Sequence, residues 1–350
     1  MRPAPVLLLL GMLGGTVGPA GAAPAIQPEE WRSYVEAFIG PEGRVIDTGN
    51  GGISHSEGQG YGLVLSVLAD DRPTFERLWS FTATELMVRE DGLAAWRWEP
   101  DSQPHVTDTN NATDGDMLIA YGLLLAGGAW DEPAYAEAAA PMIRTIGRTL
   151  LVTADGLPVI LPGAEGFAGT EADARPVLNP SYWVYEVFPA FARLDPVIDW
   201  AGVGAAGLEI LLRARATPSG LPADWVQLEE GGLVPARDFA PEFGYNGIRI
   251  PLYLMRAGID AAHLEPFRAS AGDGALAKVD VVSGEAIEPI GEPGYRLIAA
   301  AMDCLAGDGP VPGELRTLAV TSYYAATLQL LLLDHLRRHA PECLDGGAGP

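Results

Sequence analysis

Apolar runs of helical period recur along nearly the whole chain, and in several of them the apolar face has no polar counterpart. The run LIAYGLLLAG at 118–127 contains no charged residue. A helix that is apolar all round must be covered on every side, so it packs inside a large helical assembly and not on its surface. Helical spacing is found at about 28–39, 57–69, 73–89, 115–128, 132–150, 182–194, 199–214, 243–256, 259–270, 292–306 and 322–339, separated by short Gly, Pro and Asp joints. Alternating helical hairpins in this number predict an all-α toroid, with a cleft at one rim built from loops. Three strand-like excursions interrupt the pattern: LLVTADGLPVILPG with a turn at Asp155-Gly156, the segment around Trp225, and VDVVSGEAIEP with a turn at Ser283-Gly284.

The chain opens MRPAPVLLLLGMLGGTVGPAGAAPA, with one Arg, an apolar core and small residues in an A-x-A-like pattern. This reads as a secretory signal peptide over 1–23, because the Leu-rich core is too short and too Gly-broken to span a bilayer. The expectation is an exported protein, periplasmic or secreted, whose remainder, 24–350, is one domain and has no membrane span. Its two cysteines, Cys304 and Cys343, could form one disulfide in an oxidising compartment, and two free thiols fit the sequence equally well. The formal charge of −24 makes a nucleic acid a poor partner, since the polyanion would be repelled. A neutral polysaccharide suits this balance better.

Two acidic stretches carry chemistry. In SHSEGQGYG at 54–62, Glu57 sits among glycines and small polar residues, and from 53 to 70 the only other charged residue is Asp70. In NNATDGD at 110–116, Asp114 and Asp116 precede the apolar run. Each stretch has a plainer reading as a helix start: Thr113 or Asp114 as cap, and Glu57 as a cap or first-turn acid. Calcium ligation by Asp108, Asn110, Asp114 and Asp116 fails the EF-hand spacing at Ala112, and the sequence offers no other metal pattern. Aromatics able to stack on sugar faces stand beside both stretches and in other loops: Trp96, Trp98, Tyr182, Trp183, Trp225 and Tyr245.

Taken in order, SEGQGYG, AWRW, NATDGDMLIAYGLLLAGGAW, LNPSYW, ADWV and FGYNGIRIPLYL resemble the bacterial endoglucanases of glycoside hydrolase family 8, from about Trp31 to the last helix. Within that family the chain looks most like the periplasmic or secreted cellulases that accompany bacterial cellulose synthesis, which makes a cellulose synthase complex a candidate partner. The resemblance implies an (α/α)6 barrel with a long open cleft, inverting hydrolysis of β-1,4-glucan and no cofactor. It implies Glu57 as general acid, Asp114 as the aspartate at the point of cleavage, Asp116 as its support, and Arg249 as a cleft arginine beside the carboxylates. Substrate contacts are then expected from Asp116, Trp96, Trp98, Tyr182, Trp225, Tyr245, Asn246 and Arg249.

The chemistry agrees with these roles. Protonating a glycosidic oxygen near neutral pH needs a carboxyl that keeps its proton, and sequence places no cation near Glu57. An inverting enzyme also needs a second carboxylate about 6.5 to 9.5 Å away, with room for a water. Here the chain departs from the family. Where many members carry an aspartate base, this sequence has Asn246, which can hold a water but cannot take its proton. Asp114, then Glu242 and Asp238, are the candidate bases. The alternatives are the same scaffold cutting lichenan, xylan or chitosan, a glucan-binding protein with weak or no turnover, and a structural all-α partner protein.

Overall fold

The computed structural model describes residues 25–169, 175–229 and 232–345. The expected signal peptide lies outside them. Among the described residues there are eleven α-helices: α1 Pro28–Phe38, α2 Ser56–Leu68, α3 Arg72–Phe81, α4 Thr113–Ala129, α5 Pro133–Thr145, α6 Phe188–Leu194, α7 Trp200–Ala214, α8 Arg249–Arg256, α9 Glu265–Ser270, α10 Pro293–Ala306 and α11 Tyr323–His339. The helices pack as hairpins, with α2 on α3, α4 on α5, α6 on α7 and α10 on α11. A circuit of contacts runs from α2 to α4, through the 3-10 turn Tyr185–Val187 to α8, then to α11 and back to α2. The last helix therefore packs against the beginning of the chain, and the ring closes. Arg337 fastens it, donating to both carboxylate oxygens of Glu30 on α1 at 2.6 and 2.8 Å.

The apolar helices of the inner ring meet along a seam of glycines. A Cβ on Gly60 would lie 2.5 Å from the Cβ of Leu118, one on Gly122 would lie 2.8 Å from the Cβ of Leu63, and one on Gly115 would lie 2.2 Å from Ser56 Oγ. Because 56, 60 and 63 match 115, 118 and 122 in the same order, α2 and α4 run parallel, backbone against side chain, with no room for a methyl group. Their first turns consequently lie side by side.

Among the described residues, ten short strands, β1 Ser54–His55, β2 Arg97–Trp98, β3 Leu151–Ala154, β4 Leu157–Ile160, β5 Val177–Leu178, β6 Val226–Glu229, β7 Gly232–Pro235, β8 Glu242–Phe243, β9 Ala277–Asp280 and β10 Ala286–Pro289, make four small sheets. The Asp155-Gly156 turn joins β3 to β4, both residues in left-handed backbone, as the sequence predicts. The predicted turn near Gly284, also left-handed, joins β9 to β10. β9 pairs in addition with β8, which places Glu242 opposite Asp280.

Three expected helices start late or are broken. The segment 182–194 begins as 3-10 turns and becomes α-helical only at Phe188, because Pro180 opens a turn that the Asn179 side chain caps. The segment 243–256 starts in β8, and its helix begins at Arg249. The segment 259–270 divides into a 3-10 turn capped by Asp260 and the short α9. Cys304, near the end of α10, is disulfide-bonded to Cys343, at a separation of 39 residues. Closing a loop of that length removes about 4 kcal/mol of unfolded-chain entropy in the chain-entropy account. No helix among the described residues is long and apolar enough to cross a membrane.

Candidate active site

Four helices present their N-termini to one cavity of about 600 Å3: Ser56 and Glu57 from α2, Asp114 from α4, Arg249 from α8, and Tyr323 and Tyr324 from α11 all line it. The positive ends of the helix dipoles point into this space, which favours carboxylates there. At its centre Arg249, itself buried, offers one guanidinium nitrogen to Glu57 Oε1 and the other to Asp114 Oδ2 at 2.7 Å. The second nitrogen also donates to Ser181 Oγ at 2.9 Å and to Asn246 Oδ1 at 3.4 Å. Its guanidinium carbon lies 5.5 Å from the Tyr182 ring centroid.

No cation stands near Glu57 in sequence, and Arg249, expected beside the carboxylates, supplies one from 192 positions away. One guanidinium is shared by two carboxylates. Burial, opposed by Arg249 and reinforced by the charge of Glu57, raises Asp114 to about 6. Glu57, Asp114 and Asp116 are first-turn acids, as the plainer readings allow, but none of them is the cap. The cap of α2 is His55, whose Nδ1 accepts from the Gly58 N–H at 3.0 Å. The residue before α4 is Ala112, which makes no side-chain cap, while Thr113 donates to the Leu161 carbonyl and Asp114 Oδ1 accepts from the Gly115 N–H.

Of the other expected site residues, Trp96, Tyr182, Tyr245 and Asn246 line the cavity. Asp116 does not. It is fully buried, and its two oxygens accept from the Ala94 N–H and from Asn111 Nδ2, both at 2.8 Å, so it pins the segment before β2 to α4. Burial raises it to about 8, against the pull of those two donors. Trp98 is also absent from the cavity lining: its ring stacks on His105 at 4.2 Å and its Nε1 donates to Glu85. Trp225 stacks with Phe167 and Phe239 and reaches the site only through Tyr182, at 6.1 Å. Trp183 is core, donating to the Val203 carbonyl. The four oxygen-bearing residues weighed for calcium are directed elsewhere: Asp108 accepts from Trp96 Nε1 and the Asn110 N–H, Asn110 Oδ1 accepts from the Asn111 and Glu165 N–H groups, and Asp114 and Asp116 are held as described.

Sequence reasoning missed several lining residues: Asp47, His55, Glu292, Tyr295 and the Tyr323-Tyr324 pair. His55 stands inside SHSEGQGYG and the tyrosine pair opens the last helical run, whereas Asp47 and Glu292 carry no local signal. Asp224, next to Trp225 in ADWV, was missed as well. Its carboxylate accepts from the N–H groups of Gly244 at 2.9 Å, Gly247 at 2.8 Å and Asn246 at 3.3 Å, and so shapes the loop that presents Asn246. Of the candidate bases, Glu242 is paired with Lys278 Nζ at 2.9 Å and Asp238 is exposed; neither lines the cavity, whereas Asp114 does. A larger groove of about 1210 Å3 lies between β3, β7 and α7, but its acids Asp155 and Glu229 are paired with Arg213 and Arg237.

Two carboxylates, Glu57 and Asp114, thus line one cavity, and a pair of Asp/Glu side chains is what glycoside hydrolysis uses. The sequence profile described as glycosyl hydrolases family 8 matches residues 17–336. The chain belongs to this family. It is similar to a probable endoglucanase from Novacetimonas hansenii, 36% identical over 92% of this chain and 94% of that one. It is also similar to an endoglucanase from Cellulomonas uda, 38% identical over 68% of this chain and 66% of that protein, just under two thirds of its length. Among solved structures, endoglucanase Cel10 from Klebsiella pneumoniae, a family 8 glycosyl hydrolase, superposes with a TM-score of 0.80 at 34% identity, covering 89% of this chain and all of that one. The ring of helical hairpins is thus the (α/α)6 barrel of family 8, and the protein is a glycoside hydrolase.

Proposed function

We propose that this family 8 hydrolase is an exported endo-β-1,4-glucanase that cuts cellulose-like chains with inversion. The observation that carries the reading is the Glu57–Arg249–Asp114 bridge on the floor of an open, tyrosine-walled cavity. Glu57, the more exposed of the two acids at 19% against 2%, gives its proton to the glycosidic oxygen as the C1–O bond breaks. A water attacks C1 from the opposite face, and its proton passes to Asp114. A base raised to about 6 is matched to that task near neutral pH. Trp96, Tyr182 and Tyr245 offer ring faces or edges to sugars. Export is supported by the leader-like opening of the chain and by the Cys304–Cys343 disulfide. Action beside a cellulose synthase complex is part of the same proposal and rests on the sequence resemblance alone.

Reducing-end release from carboxymethyl-cellulose tests the reading. Glu57→Gln keeps the shape and loses the transferable proton, so cleavage should fall to near background with cello-oligosaccharide binding retained; substantial residual cleavage would reject Glu57 as the acid. With the wild type, NMR of fresh product should show the α-anomer first.

A second reading, glucan binding with weak turnover, is favoured by one observation: Asn246, which cannot accept a proton, lines the cavity beside Arg249. Asn246→Asp separates the two. A large gain in rate would show that the position faces the attacking water, and an unchanged rate would leave the base elsewhere.

A further inference from the structure

We propose that His55, backed by Asp47, is a positioning residue for Glu57, holding the helix that carries the acid while neutral and releasing it on taking a second proton. This deepens the reading of Glu57 as general acid and rests on it. His55 caps α2, with Nδ1 accepting from the Gly58 N–H at 3.0 Å; the same nitrogen lies 3.9 Å from Glu57 Oε2. Its Nε2 lies 3.4 Å from Asp47 Oδ2, and Asp47 is itself held by the Gly49 N–H at 3.0 Å. The ring stands edge-on to Tyr323, at 5.8 Å. All of these side chains line the catalytic cavity.

An imidazole nitrogen that accepts a hydrogen bond carries no proton, so the neutral ring has its hydrogen on Nε2, toward Asp47. A second proton must go on Nδ1. The cap bond to Gly58 is then lost, and the new N–H faces Glu57. A second cation beside Arg249 also favours the ionised form of Glu57, which is the wrong form for an acid catalyst. The neutral ring is therefore the productive one. The groups facing His55 are Asp47 from the loop before β1, Glu57 from α2, Asp114 from α4 and Tyr323 from α11, with Arg249 of α8 behind Glu57. Burial is the largest influence and pulls His55 down, but the Asp47 hydrogen bond and the charges of Glu57, Asp47 and Asp114 together carry it above the ordinary histidine value.

The test is the pH dependence of kcat/KM on a cello-oligosaccharide for wild type, His55→Asn and Asp47→Asn. Asparagine caps a helix well but does not titrate, and Asp47→Asn removes the charge that helps keep His55 protonated. The acidic limb should move to lower pH in both, so that the rate at about pH 5 relative to about pH 7 rises roughly threefold or more. In NMR titrations of the five histidines, the resonance lost in His55→Asn should titrate above the ordinary value and move down in Asp47→Asn. If Glu57→Gln abolishes turnover while both variants keep the wild-type limb, the role of His55 is overturned and that of Glu57 stands. If Glu57→Gln turns over normally, the underlying reading fails first. Should His55→Asn not fold, Asp47→Asn decides, an unmoved limb overturning the proposal.

Discussion

Arg249 gives one nitrogen to Glu57 and the other to Asp114, and a lysine in its place would have a single ammonium to divide between them. Arg249→Lys should keep the charge and lose the register of the two acids, lowering kcat by roughly 100-fold, an effect of about 3 kcal/mol on the barrier. Substrate binding, measured with Glu57→Gln as the background, should change far less. A kcat within a few-fold of wild type would show that charge alone suffices.

At the level of elements, the seam between α2 and α4 sets where Glu57 and Asp114 stand. Gly115→Ala would press a methyl group on Ser56 Oγ and on the Glu57 backbone nitrogen, at 2.2 and 2.6 Å, spreading the two first turns apart. Gly122→Ala makes a comparable clash against Leu63, two turns further from the site. Overpacking of this kind costs about 1–3 kcal/mol at either position. Activity should separate them: Gly115→Ala should lose most of its kcat, and Gly122→Ala should keep a large part of it. Equal losses would mean that the seam does not control the acids.

The long helices along this seam were legible in the sequence because apolar period and Gly punctuation are local signals. α2, α4 and α11 begin within two residues of where the spacing puts them. The block around Asn246 was not, because what holds it out of helix is Asp224, 20 to 23 residues upstream and bonded to Gly244 and Gly247. The same distinction runs through the site. Glu57, Asp114 and Arg249 were recognisable from their blocks, but their union on one guanidinium, and the inward burial of Asp116, are products of the closed ring.

For the molecule as a whole, buried acids set the response to pH. Asp114, raised to about 6, and Asp116, raised to about 8, both chiefly by burial, keep protons in the folded state that the unfolded chain releases above 3.8. Their contribution to stability is full below 3.8 and is lost as pH rises through about 6 and about 8. His55, also raised, adds a loss of the same sign above 6.5. His335 acts the other way: burial pushes it down to about 4, so its contribution is present above 6.5 and is lost as pH falls through about 4. Between pH 8 and 6.5 Asp116 and His55 act unopposed, and Asp114 adds its share only as pH falls through about 6. Calorimetric Tm should therefore rise as the buffer is taken from pH 8 to 6.5, and a flat or falling Tm there would contradict the burial of Asp116 as an acid.

The Lys278–Glu242 pair has a practical side. The chain contains 21 arginines and one lysine, and that lysine stands on β9 against the β8 strand that leads into Gly244, Tyr245 and Asn246. Amine-directed coupling, whether a fluorescent label or a glutaraldehyde-activated bead, therefore has a single side-chain target, and it lies beside the loop that lines the cleft.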